Sequence, residues 1–101
     1  MIEVYATKQA EKYRLLIHGH AADTEEGRRV CAAVSALGGA LLQYAKGTGG
    51  ASHVRHVMEP GFLFLSCVGG VSGAFEAVVE ALASIAGEYG KHMAPATYSC
   101  R

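Results

Sequence analysis

Twice along this chain a pair of short strand-like runs precedes a segment with helical periodicity. That order restricts the fold more than any single residue does. In the first pair, MIEVYAT alternates Ile2, Val4 and Ala6 with Glu3, Tyr5 and Thr7, and YRLLIHGH carries Leu15, Leu16 and Ile17. The polar KQAEK between the two runs reads as the turn of a hairpin. From about Arg28 to Tyr44, Val30, Val34, Leu37 and Leu41 recur at helical spacing. Glu25 and Glu26 stand ahead of them, where the positive end of a helix favours acidic side chains. Gly38 and Gly39 within the stretch each cost about 1 kcal/mol relative to alanine, so their presence there points to close packing. The second pair is HVRHVME and FLFLSCV, joined by Pro60-Gly61, a dipeptide suited to the centre of a type II turn. Phe62 and Phe64 are assigned to the core side of the latter run. Ser72 is the expected N-cap of a second helix with Phe75, Val78, Val79, Leu82, Ile85 and Ala86 as its apolar stripe. The tail KHMAPATYSCR reads as irregular. The element order is therefore ββαββα, an α+β two-layer sandwich with two helices on one face of a four-stranded sheet.

A chain of 101 residues has room for one core, so residues 1–101 are read as a single domain. Charged residues make up 18% of the chain and the formal net charge is zero, which argues against a nucleic-acid partner held by long-range electrostatics. No apolar run has the length of a membrane span and no secretory leader is evident, so a cytoplasmic location and no membrane partner are expected. Cys31, Cys67 and Cys100 are odd in number and widely spaced. They fit free thiols in a reducing compartment better than a disulfide framework or a zinc ribbon. Cys67 in its apolar run is expected to be buried, and Cys100 near the end to be exposed.

The residues that carry chemistry lie in HGHAADTEEGRRVCAAVSAL, from His18 to Leu37. A cysteine acts as a nucleophile only as thiolate, and the first turn of a helix favours a thiolate because backbone N–H groups point at it. Cys31 is expected in that turn, with the N–H groups of Cys31 and Ala32 as oxyanion donors. His20, at the end of the preceding strand, is the matching proton carrier. Gly19 frees space beside it, and the polar, glycine-ended AADTEEG reads as a movable lid. The competing explanation is a cysteine that serves as a small core residue and a histidine that caps a strand end. His18, His20, His53 and His56 could join a cysteine around zinc, but residues three apart on a strand face opposite ways, and no metal is assigned. GTGG and GGVSG lack the lysine and spacing of a phosphate loop, and no cofactor is assigned.

The blocks Gly19-His20-Ala21 and Cys31-Ala32-Ala33-Val34-Ser35-Ala36-Leu37, with Gly27 in the loop between them, resemble the signature of the ribosomal-processing cysteine protease family. The resemblance implies the same ββαββα order with a mixed sheet, a homodimer, and removal of an N-terminal extension from a protein of the large ribosomal subunit. It makes Cys31 the nucleophile and His20 the general base and acid. Gly19, Ala21, Gly27, Ala32 and Ser35 become loop or substrate-side positions. The ribosomal protein precursor, or a peptide from it, is then the partner. One departure stands out: family members usually carry an aspartate and two apolar residues before the cysteine, whereas this chain has Arg28 and Arg29 there. Asp23, Glu25 and Glu26 are the nearby carboxylates. The alternative is a non-catalytic ribosome-associated binding or assembly factor on the same fold.

Overall fold

The computed structural model describes residues 1–101. Its elements are β1 (Glu3–Gln9), β2 (Lys12–His18), α1 (Glu25–Gly47), β3 (Ser52–Glu59), β4 (Phe62–Val68), α2 (Ser72–Glu88) and β5 (Thr97–Cys100). The sheet runs β3-β4-β2-β1-β5. All neighbours are antiparallel except β1 and β5, which are parallel. The α+β class, the mixed sheet and the two helices agree with the expectation, but the sheet has five strands and the element order is ββαββαβ.

The fifth strand comes from the tail that reads as irregular. It adds to the outer edge of β1, pairing Tyr5 to Lys8 with Thr97 to Cys100, and every one of its residues is exposed. A strand with no buried side shows no alternation in its sequence. It is held instead by its ladder and by Tyr98, whose ring stands edge-on to Phe75 at 6.0 Å and whose hydroxyl donates to the Glu76 carboxylate. That hydrogen bond pushes the Tyr98 phenol well above its usual range, with burial adding to it.

One cluster of 20 buried residues fills the space between the sheet and the helices. Val4 and Ala6, then Tyr13, Leu15 and Ile17, then Leu63, Leu65 and Cys67 supply the sheet side. Phe62 and Phe64 do not: they point to the opposite face, and Phe62 is 38% exposed. FLFLSCV is apolar almost throughout, so its phase is set by pairing with β2, and shifting that phase by one residue exchanges the two faces. Cys67 is buried, which raises its thiol pKa, and Cys100 is exposed; all three cysteines are free.

The helices pack to different tolerances. At Gly38 of α1 a Cβ would stand 2.8 Å from Leu63 Cδ1 and 3.1 Å from Ile17 Cδ1, so glycine lets the helix settle onto the sheet. Gly39 has only Met58 as a neighbour, at ordinary contact distance. Helix α1 begins at Glu25, earlier than its apolar period suggests, because Thr24 caps it by accepting from the Gly27 N–H at 3.0 Å. Helix α2 begins at Ser72 without a side-chain cap, since the cap position belongs to Val71.

Candidate functional site

The ends of β2 and α1 and the β3–β4 turn meet around an open cleft of about 80 Å³. Gly19, His20, Cys31 and Ser35 all line it. Ile2, Ile17, Val34 and Leu63 form an apolar wall, and Met58, Glu59, Gly61 and Phe62 close the side made by the second hairpin. The structure thus brings His20 and Cys31, 11 positions apart in sequence, into one cavity with an apolar lining.

His20 is positioned by glycines. Gly61, at φ +74, takes the second central place of the Pro60-Gly61 turn, as a type II turn requires. Its α-hydrogen faces the imidazole of His20, and a Cβ there would stand 2.5 Å from Cε1. Gly19, at φ +102, donates its N–H to the Gly61 carbonyl at 3.0 Å. It lies against the Met1 carbonyl group, whose carbon would be 3.1 Å from an added Cβ. Both φ values belong to the region that favours glycine. His20 is therefore seated on the tip of the second hairpin, a contact between segments about 40 residues apart that sequence spacing cannot reveal.

Cys31 is not in the first turn of α1. It is the seventh helical residue after the start at Glu25, so the N–H groups of Cys31 and Ala32 are spent on the helical ladder toward Gly27 and Arg28. The expected oxyanion donors are therefore not available, and the thiol gains no N–H groups from the helix end. Cys31 is half-buried, packed against the core, with Ser35 one turn further along the same face. Ala32 is exposed and does not line the cleft. Ala21 is half-buried and packs on the core beside the loop.

The loop between His20 and the helix is shorter than its sequence suggests. Glu25, Glu26 and Gly27 belong to the helix, which leaves only Ala21 to Thr24. The buried Gly27 gives that loop its seat: a Cβ would meet the Ala22 carbonyl carbon at 2.9 Å and its oxygen closer still. The Thr24 N–H also donates to the Ala22 carbonyl at 2.8 Å. These contacts make the segment a fixed turn rather than the long lid expected.

The three acidic residues near the loop are all engaged away from His20. Asp23 pairs with Arg28 at 2.9 Å, Glu25 with Arg29 at 3.8 Å, and Glu26 with the buried His92 at 3.0 Å. The same pairs occupy Arg28 and Arg29. The carboxylate that does reach the cleft is Glu59, at the end of β3. In the sequence its only signal is its place next to the Pro60-Gly61 turn. His18 lies apart from His20, stacked on Tyr5 at 5.8 Å and 3.7 Å from Glu3. His53 stands at the far end of β3, next to Ser52 Oγ at 3.3 Å. No three histidine, cysteine or acidic side chains converge as a metal site would need. No helix is long and apolar enough to cross a membrane.

No protein-family model matches the chain, and no curated protein matches it. Solved structures do. The ribosomal processing protease Prp from S. aureus, in complex with a covalently linked product peptide, superposes with a TM-score of 0.78 at 22% identity, covering 97% of this chain and 99% of that one. The same protease with a substrate peptide gives 0.73 at 20% identity over the same shares. SMU.848 from Streptococcus mutans gives 0.73 at 17% identity, covering 100% of this chain and 99% of the other. The fold is therefore that of the Prp structures, over nearly the whole chain.

Proposed function

We propose that this chain is a cysteine peptidase of the ribosomal-processing type that removes the N-terminal extension of a large-subunit ribosomal protein. The observation that carries the reading is the shared cleft of His20 and Cys31 on a fold that, in the S. aureus protease, accompanies a bound peptide. Cys31 Sγ attacks the scissile carbonyl and its proton passes to His20. His20 then protonates the departing amine, leaving a thioester. Water, deprotonated by His20, attacks the thioester and returns the thiol. The apolar wall of Ile2, Ile17, Val34 and Leu63 favours an apolar side chain next to the scissile bond. Gly19 and Ser35 border the peptide path, and Gly27 and Ala21 act through the loop they fix. The enzyme works in the cytoplasm, as a homodimer, with neither metal nor cofactor in the reaction.

The helical pairing of the Cys31 and Ala32 N–H groups favours a second reading, a ribosome-associated binding or assembly factor in which the pair is structural. Mass spectrometry of a ribosomal precursor peptide from the same genome, incubated with the parent protein, Cys31→Ala and His20→Ala, separates the two. Cleavage at one bond that both substitutions abolish supports the peptidase. Binding without cleavage by the parent and Cys31→Ala alike supports the binding factor.

A further inference from the structure

The face of the sheet turned away from the helices is uncovered, and strand register sorts its side chains into bands. Glu3, His18, Phe62 and Glu59 align across β1, β2, β4 and β3 at the end beside the cleft. Tyr5, Leu16, Phe64 and Val57 form the next row, and Thr7, Arg14, Ser66 and Arg55 the row after it. The face thus runs from acidic through apolar to basic. Its apolar band is open to solvent, with Tyr5 40% and Val57 41% exposed. Glu59, Arg14 and Arg55 have no ion-pair partner within the chain. Glu59 and Phe62 also line the cleft, so the acidic end of this face is the rim of the candidate site.

We propose that a second copy of this chain docks on this face with its strands antiparallel, apolar row on apolar row, so that the partner's Arg55 meets Glu59 at the cleft rim. The proposal rests on the homodimer reading above and goes beyond it by naming the face, the orientation and a residue that one copy lends to the other's cleft. Charge complementarity chooses the orientation. A two-fold axis along the apolar row lays the acidic row of each copy over the basic row of the other, twice per dimer, whereas a docking with parallel strands lays like charge on like. Three overlapping rows, across four strands for the acidic row and five for the other two, span roughly 20 by 19 to 24 Å, or about 800 to 1,000 Å² for the pair, the size of a weak interface. At that size the pairing of charges decides whether the dimer holds.

Sedimentation velocity at micromolar concentrations tests this on the full chain without any substrate, so a failure of the peptidase reading leaves the result untouched. Arg55→Glu and Glu59→Arg each place like charges together and are expected to weaken self-association by about tenfold or more. Mixed in equal amounts, the two variants are expected to associate again, because each supplies the charge that the other lacks at both contacts. Circular dichroism confirms that both remain folded. Variants that stay dimeric, or a mixture that does not associate, overturn the proposed face while the homodimer reading stands. A parent protein that is monomeric throughout overturns both.

Discussion

The two helices start in opposite ways. Helix α1 opens with Thr24 accepting from the Gly27 N–H, two acidic residues in its first turn, and a glycine whose missing Cβ admits the Ala22 carbonyl. Helix α2 opens at Val71 with no side-chain cap and no acidic residue in its first turn, and its interior is more apolar. Phe75 in its first turn is fully buried between Tyr13, at 5.1 Å, and Tyr98. The start of α2 is held by burial with no side-chain cap, whereas that of α1 is also fixed by its cap and by backbone contacts. The difference follows from what each start supports. The tip of α1 sets the turn that carries His20 and the register of Cys31, and burial of a helix face does not by itself fix such a terminus to a fraction of an ångström.

The largest effect expected from this contrast lies in α2. Phe75→Ala empties a site enclosed by Tyr13 and Tyr98 and should lower stability by about 3–5 kcal/mol, read by urea denaturation. A loss under about 1 kcal/mol would show that α2 is not anchored by burial of Phe75. At the start of α1, Gly27→Ala pushes a Cβ into the Ala22 carbonyl and should cost about 1–3 kcal/mol as the turn shifts. The more telling readout is peptide cleavage, which should fall more than stability does because the displaced turn is the one that follows His20. An unchanged cleavage rate in a variant of normal stability would separate the start of α1 from the site.

Much of this architecture is legible in the sequence, and the parts that are not share a cause. Alternation in MIEVYAT, the period of Val30, Val34 and Leu41, and the Pro60-Gly61 turn are local signals, and the elements they mark are present. Phe62 and Phe64 lie on the face opposite to the expected one because FLFLSCV lacks an internal phase. Strand β5 gives no signal because none of its own residues is buried. His20 and Cys31 could be singled out as a pair, yet the seat of His20 on Gly61 and the presence of Glu59 in the cleft arise from pairing between distant strands. Helix α1 starts earlier than its apolar period, which begins only at Val30, because the cap that sets the boundary is one threonine six residues before it.

Smaller effects sharpen the comparison of the helix starts. Thr24→Ala removes the acceptor for the Gly27 N–H and should cost about 1 kcal/mol, measured as a shift in the urea midpoint. Ser72→Ala is the matching substitution in α2, and there the expected change is within about 0.5 kcal/mol. The sequence favours a cap at Ser72, since serine before an apolar stripe is a common helix start. The chain instead enters the helix one residue earlier, at Val71, whose carbonyl accepts the Phe75 N–H at 2.7 Å. Ser72 is thereby the first helical residue, exposed, with its hydroxyl making no cap bond. Entry at Val71 lets that buried valine and Phe75 both reach the core, a gain in apolar burial larger than the roughly 1 kcal/mol of a serine cap. A loss at Ser72→Ala equal to that at Thr24→Ala would show that α2 does draw on its serine, and that the two helix starts are built alike.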